Sequence, residues 1–182
     1  AVGDGRLDQL LFGEDPARNG LLDTPKRVAQ MYQEIAGGTN EAAVDVLQTQ
    51  FEEDHQEMVI LRDVPFYSIC EHHLLPFFGK CHVGYLPTSK VIGLSKVIRL
   101  VELFARRLQV QERLTQQIAH TIQEHANPQG VGVIIETQHL CMMMRGVEKQ
   151  NVKVTTSTLL GKFRQDQRSR MEFLNLVRIN NP

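Results

Sequence analysis

The sequence predicts an α+β fold in which a pair of helices covers one face of an antiparallel sheet. Three observations support this prediction: helical periodicity near the N-terminus, β-rich runs from Met58 onward, and two long amphipathic segments that separate the first strands from the last. The length of 182 residues favours one domain with a helical appendage. We place the boundary near residue 50, with an N-terminal helical region over 1–50 and the main domain over 51–182.

The N-terminal region contains a helix start at Asp23-Thr24-Pro25, because Asp is a favoured capping residue and Pro a favoured first-turn residue. Gly37-Gly38 ends the helical pattern. Three β-rich runs follow over 58–70, 77–87 and 90–94. In the second run the neighbours Cys81 and His82 are expected to face opposite sides of the strand.

Two amphipathic helices are predicted after these runs, with Ser95 as the N-cap of the first. The apolar stripe of the first helix consists of Val97, Ile98, Val101, Phe104, Ala105 and Leu108. The stripe of the second consists of Leu114, Ile118 and Ile122, and that helix ends at 127–130. The remaining chain is predicted to form strands over 131–144 and 152–160 and an amphipathic helix over 168–177.

The composition argues against several classes of protein. A formal net charge of −1 argues against a general nucleic-acid binder, although a local basic pocket for a small polyanion is compatible with it. No apolar run approaches the roughly 18 residues of a membrane span. Two of the 3 cysteines stand beside histidines, which favours metal binding in a reducing compartment over a disulfide framework. We therefore expect a cytoplasmic protein that binds neither nucleic acid nor membrane.

The strongest functional signal is the run Cys70-Glu71-His72-His73 together with the distant His139-Leu140-Cys141. Cysteine and histidine are the usual zinc ligands. A site with three protein ligands and spare histidines beside it is the arrangement that a hydrolytic metal needs.

The spacing suggests how the ligands divide. Cys70 and His73 can bind one ion from a tight turn, and His72 between them then points elsewhere. His139 and Cys141 face the same side of an extended strand. If the two segments meet, we assign Cys70, His73 and Cys141 as ligands, with water in the fourth position.

This assignment leaves His72 and His139 as acid–base groups beside a water whose pKa the metal lowers. The alternative is a closed structural site whose fourth ligand is Cys81, His82 or a spare histidine.

A candidate anion site lies at the start of the first long helix. Free N–H groups of the first turn, with Lys96 and Arg99 one turn apart, are suited to a phosphate. Arg145 shares a strand face with Cys141 if that strand continues, and its guanidinium suits phosphate as well. The simpler interpretation of the helix start is a solvated basic surface.

Glu112 stands with Gln111 at the junction of the two long helices. A carboxylate in a first helical turn is ordinarily a capping or dipole residue. It is also able to accept two hydrogen bonds at once, and a guanine edge offers two adjacent donors.

Three blocks of sequence resemble the GTP cyclohydrolase I family: SICEHHLLPFFGKCHVGYLP, VIGLSKVIRLVELFARRLQVQERLTQQIA and QHLCMMMRGV. The resemblance runs in register from about Thr24 to Val177. It implies a T-fold preceded by an N-terminal helical region, with subunit sheets joined into a ring-shaped barrel. It also implies a homodecamer of two stacked pentamers, with sites between subunits.

The family converts GTP and water to formate and 7,8-dihydroneopterin triphosphate, the entry to folates and tetrahydrobiopterin. The resemblance implies one zinc ion per subunit on Cys70, His73 and Cys141, with His72 and His139 as acid–base residues. It places guanine recognition on Glu112 with Gln111 and triphosphate contacts on Ser95, Lys96, Arg99 and Arg145, while Lys26 or Arg27 of another subunit adds charge.

Two other functions remain open from the sequence. One is a T-fold relative with a different reaction, such as the nitrile reductase of queuosine biosynthesis. The other is a non-catalytic, zinc-stabilised nucleotide-binding module. The sequence does not determine whether a regulatory protein binds.

Overall fold

The computed structural model describes residues 12–39 and 42–178. Its helices include α1 (Thr24–Ile35), α2 (Ala43–Val46), α3 (Leu94–Ala105), α4 (Gln111–Ala126), α5 (Leu140–Met143), α6 (Lys162–Gln165) and α7 (Gln167–Arg178). Its strands include β1 (Gln50–Glu52), β2 (Val59–Cys70), β3 (Pro76–Leu86), β4 (Lys90–Ile92), β5 (Leu108–Gln109), β6 (Gly130–His139) and β7 (Val154–Gly161). The α+β prediction is confirmed.

The main sheet has the strand order β5-β2-β3-β6-β7, and β1 pairs separately with β4. The pairs β2–β3, β3–β6 and β6–β7 are antiparallel, as predicted. The edge strand β5 runs parallel to the end of β2, pairing Ile69 with Leu108 and Cys70 with Gln109. The sheet is therefore mixed, and β5 brings the start of α4 directly beside Cys70.

One face of the sheet carries the main core under α3 and α4. The predicted stripe of α4 is confirmed, since Leu114, Ile118 and Ile122 are each 0% exposed. The stripe of α3 is confirmed in part, because Ile98 and Leu108 are exposed. Alternate residues of β6 face these helices: Val131, Val133 and Ile135.

The opposite face is covered by α6 and α7, which corrects the prediction of helices on one face only. Ile134 of β6 packs there with Phe163 and Phe173. A Cβ atom built at Gly84 or Gly132 would lie 2.7 Å from the ring of Phe173. Gly84 and Gly132 therefore form a glycine floor, a flat surface without side chains against which Phe173 of α7 packs.

The faces of Cys81 and His82 are as predicted. Cys81 belongs to the core under α3 and α4, while His82 pairs with Ile134, whose side chain faces α7. The N–H of Asp63, at a bulge in β2 with φ of 57°, donates to Nδ1 of His82.

The N-terminal segment contains α1 at the predicted place, but Asp23 makes no side-chain capping bond. The Tyr32 hydroxyl donates to the Leu74 carbonyl at 3.0 Å, which ties α1 to the turn after β2. Parts of the predicted helical region, residues 1–11 and 40–41, lie outside the described residues. Among the described residues, no helix is both long and apolar enough to cross a bilayer.

Candidate metal centre and active site

The turn after β2 presents the first two candidate ligands. The amides of His73 and Leu74 both donate to the Cys70 carbonyl, at 3.3 and 2.9 Å. The Cys70 amide donates to the carbonyl of Leu75. Leu74 has a φ of 52°, which closes the turn. This tight turn places Sγ of Cys70 3.8 Å from Nδ1 of His73.

The third candidate ligand arrives by a route that differs from the prediction. The strand expected to continue to Met144 ends at His139, and Cys141 lies in the helical turn α5. Within that turn the amide of Met144 donates to the Leu140 carbonyl. Cys141 therefore reaches the site from a helical turn and not from the same strand face as His139.

Cys70, His73 and Cys141 form a group whose candidate ligand atoms all lie within 4.8 Å of one another. Ligands at zinc distances of about 2.0–2.3 Å and tetrahedral angles lie about 3.5 Å apart, so this group fits such an ion with small adjustments. Cys70 and Cys141 are 7% and 8% exposed, whereas His73 faces solvent. The side of the group at His73 is therefore open to solvent.

The two thiols affect each other. Burial raises the pKa of Cys141, and the charge and hydrogen bond of Cys70 raise it further. A cation between the two sulfur atoms would offset this repulsion by favouring both thiolates.

A closed site in which Cys81 or His82 is the fourth ligand finds no support among the described residues. Neither Cys81 nor His82 belongs to the metal-ligating group in the described part of the chain. Cys81 is 0% exposed, and burial raises its pKa. His82 already accepts a hydrogen bond from Asp63.

His72 lies at the edge of the group. Its Nδ1 is 3.9 Å from Sγ of Cys70, and its ring meets that of His73 edge-on at 6.2 Å between centroids. The side chain is 63% exposed, so it is accessible to a bound substrate.

His139 is held more firmly. Its ring stacks on Phe77 at 4.7 Å with an interplanar angle of 4°. Burial lowers the pKa of His139, and the negative charge of Glu112 partly opposes this effect. Nε2 of His139 lies 2.8 Å from Oε1 of Gln111.

The amide of Gln111 has a defined orientation. Its Nε2 donates to the carbonyls of Ile135 and Val154 and to Oγ1 of Thr156. Its Oε1 is therefore the acceptor, shared by Oγ1 of Thr137 at 2.6 Å and by His139. Nε2 of His139 must carry the hydrogen, which leaves Nδ1 as the basic nitrogen of the neutral ring.

Gln111 and Glu112 occupy different environments. Gln111 is 2% exposed and makes its side-chain bonds inside the protein, whereas Glu112 is exposed in the first turn of α4. Sequence reasoning missed Thr137, although its position two residues before His139 on the same strand face was a signal.

Ser95, Lys96 and Arg99 lie near the start of α3. The helix begins at Leu94 with Gly93 as the N-cap, so the prediction of Ser95 as N-cap is wrong. Lys96 and Arg99 line a cavity of about 820 Å³ with Gly37, Gly38, Ala42, Asp45, Val46, Glu102, Leu103 and Arg106. The metal-ligating group is not among the described residues that line it.

Arg145 follows α5 and does not share a strand face with Cys141, contrary to expectation. It nevertheless lies beside the metal-ligating group, with its Nη1 atom 3.3 Å from Nε2 of His73. The basic residues therefore lie in two places. Arg145 is next to the candidate ligands, whereas Lys96 and Arg99 line the separate cavity.

Comparison with known proteins identifies the family of this chain. The family model described as GTP cyclohydrolase I matches residues 6–178. The chain is 58% identical to GTP cyclohydrolase 1 of Methylococcus capsulatus, covering 91% of this chain and 90% of the relative. It is 56% identical to GTP cyclohydrolase 1 of Homo sapiens, covering 92% of this chain and 67% of the relative.

A solved structure, the archaeosine synthase QueF-Like in the apo form, shows 16% identity and a TM-score of 0.45, covering 60% of this chain and 97% of that chain. The match of the family model over most of the chain, together with relatives above half identity, shows that the chain belongs to the GTP cyclohydrolase I family.

Proposed function

We propose that this chain uses a zinc ion held by Cys70, His73 and Cys141 to convert GTP and water to formate and 7,8-dihydroneopterin triphosphate. Family membership establishes GTP cyclohydrolase I as the activity. The observation that supports the site is the convergence of three ligand atoms within 4.8 Å, with His72 beside them. When bound, the zinc ion supplies Lewis acidity, which activates water at neutral pH.

The histidines handle protons in this proposal. C8 of guanine is a weak electrophile, so its hydration requires a proton at the neighbouring ring nitrogen, and later ring opening and ribose rearrangement require further transfers. His139 offers Nδ1 as a base, since Nε2 donates to Gln111. The exposed ring of His72 is available as the second acid–base group.

Substrate recognition divides between the two ends of GTP. Glu112 accepts the N1–H and 2-amino hydrogens of guanine, with Gln111 beside it. Ser95, Lys96, Arg99 and Arg145 bind the triphosphate, and Lys26 or Arg27 contributes from another subunit. The positions of Lys96 and Arg99 in one cavity and of Arg145 beside His73 support this assignment.

We propose further that the site is completed between subunits of a decamer built from two stacked pentamers. Within one chain, Lys96 and Arg99 line a cavity apart from the described metal-ligating group. Among the residues that the structure describes, the edge strand β7 pairs only with β6, so its other edge is available to a neighbouring sheet. A T-fold domain over 51–182, joined into a ring-shaped barrel, and a helical region over 1–50 belong to the same proposal, as does a cytoplasmic location.

The test is incubation of zinc-loaded protein with GTP. We expect one formate per GTP consumed and a pterin that becomes fluorescent after oxidation, and we expect a zinc chelator to abolish both. Formation of neither product by zinc-loaded protein would contradict the proposal.

A further inference from the structure

A charged pair joins the turn that carries the candidate metal ligands to the helix that carries Glu112. Nη1 and Nη2 of Arg113 both donate to Oε2 of Glu71, each at 2.7 Å. Glu71 stands between Cys70 and His72, and Arg113 follows Glu112 in the first turn of α4. The pair therefore bridges segments that are separated by 42 residues in the chain.

The backbone already brings these segments together at one point. Cys70 pairs with Gln109 at the parallel β2–β5 contact, and the amide of Glu71 donates to the Gln109 carbonyl at 3.0 Å. This contact sets the distance between the turn and the helix but leaves the side chains beyond it free to rotate. The fork of Arg113 supplies the missing restraint on Glu71.

The second oxygen of Glu71 faces His72. Because both guanidinium nitrogens share Oε2, Oε1 remains available, and it lies 4.0 Å from Nε2 of His72. The His72 side chain is 63% exposed, so few other contacts hold it. A carboxylate at this position favours the ring orientation in which Nδ1 stays near Sγ of Cys70, at 3.9 Å.

We propose that Arg113 and Glu71 are positioning residues that fix His72 and the metal-binding turn against the helix turn bearing Glu112. This inference rests on the proposed function. Neither residue touches the substrate; the pair keeps the proton-transfer group and the guanine acceptor in one relative geometry. The competing explanation is an ordinary surface ion pair, with side chains 31% and 43% exposed, which adds little to stability and nothing to turnover.

The test compares Glu71→Gln, Arg113→Gln and the double variant, assayed with wild-type protein as zinc-loaded oligomers. We expect each single variant to lower kcat about tenfold, and the double variant to lose about the same factor and not about a hundredfold, because the two residues act as one unit. The thermal unfolding midpoint should stay near that of wild type, since partly exposed pairs contribute little to folding.

Two further variants sharpen the test. Arg113→Lys keeps the charge but loses the fork, so we expect it to recover only part of the lost kcat. Arg18→Gln breaks a comparable ion pair with Glu14, whose side chains are 51% and 49% exposed, and should leave kcat unchanged.

The outcomes separate the two proposals. Inactive wild-type protein would overturn the proposed function itself. Active wild-type protein with unchanged kcat in both single variants would overturn the positioning role, and so would multiplicative losses in the double variant. A kcat loss that follows a lowered unfolding midpoint would also overturn it.

Discussion

The Nε2 atom of His139 lies 2.8 Å from the Oε1 atom of Gln111, and this contact selects which ring nitrogen is basic. The selection does not depend on His139 alone. It depends on the three donor contacts that orient the Gln111 amide, to the carbonyls of Ile135 and Val154 and to Thr156. Strands β6 and β7 and helix α4 therefore cooperate in preparing one imidazole.

Gln111→Leu should reduce kcat about 10–100-fold, the usual effect of removing a residue that orients a reactive histidine. It leaves Thr137 and His139 without their acceptor, so the free energy of unfolding should fall by about 1–3 kcal/mol. Steady-state kinetics and denaturant unfolding measure the two effects. Gln116→Leu, at an exposed position of the same helix, is the control. Normal kcat in Gln111→Leu would refute the orienting role.

Cys141→Ala should abolish turnover and remove bound zinc, because the group loses one of its three ligand atoms. Metal analysis of the purified variant and an assay for formate check both effects. Cys81→Ala removes a buried thiol away from the group and should retain zinc. Full zinc occupancy in Cys141→Ala would show that the ligand assignment is wrong.

Glu112→Ala should weaken discrimination between GTP and ATP, since the donors of guanine lose a charged acceptor. We expect the ratio of kcat/KM values to fall about a hundredfold or more. The control is Glu124→Ala, which removes an exposed carboxylate from the far end of the same helix. An unchanged ratio would remove Glu112 from guanine recognition.

Mixed oligomers test whether sites form between subunits. Lys96→Ala and Cys141→Ala damage different halves of the proposed site, so refolding them together should restore activity at about a quarter of the sites when chains mix at random. Activity of the mixture is compared with that of each variant refolded alone. If mixing restores nothing, both residues serve a site within one chain.

Stability should depend on pH through His82, which is 3% exposed. Burial lowers its pKa; Asp63 and Glu136 oppose this change, while Lys80 and Arg62 add to it. In the unfolded chain the ring takes up a proton at about pH 6.5, so below that pH the unfolded state binds more protons than the native state. The stabilisation is fully present above about pH 6.5 and is lost as the pH falls through the native pKa.

The His82→Gln variant should therefore lose less stability than wild type between neutral and mildly acidic pH. Thermal unfolding midpoints over this range measure the difference, and His120→Gln, at an exposed helix position, serves as the control. Parallel pH profiles for wild type and His82→Gln would exclude the contribution of His82.

The sequence was sufficient for the features that depend on local spacing. The turn from Cys70 to His73 and the stripe of α4 follow from contacts within a few residues, and both are found. The end of β6 was not predictable, because the short apolar run 140–144 after it suits a strand or a helical turn equally well. Cys141 lies with Cys70 and His73 as expected, but it reaches them from a helical turn and not from the predicted strand.

Other features could not be predicted from the sequence because they depend on contacts between residues far apart in the chain. The partners of Gln111 come from β6 and β7, more than twenty residues away, so its buried amide gave no signal in the sequence. The predicted N-cap of α3, Ser95, lies two residues after the observed N-cap, Gly93. Gly93 takes that position with φ of −56° and ψ of 123°, and its carbonyl accepts from the Lys96 amide.

The glycine floor beneath Phe173 bears on the order in which the protein is assembled during synthesis. Gly84 and Gly132 leave a depression that the ring of Phe173 fills, and that ring belongs to α7, the last described helix. The strands, both long helices and α6 precede α7 in the chain, so the part of this face at Gly84 and Gly132 lacks its Phe173 contact until α7 has left the ribosome. A nascent chain stalled before residue 167 would lack the Phe173 ring over Gly84 and Gly132 and would present this depression to chaperones or to other nascent copies.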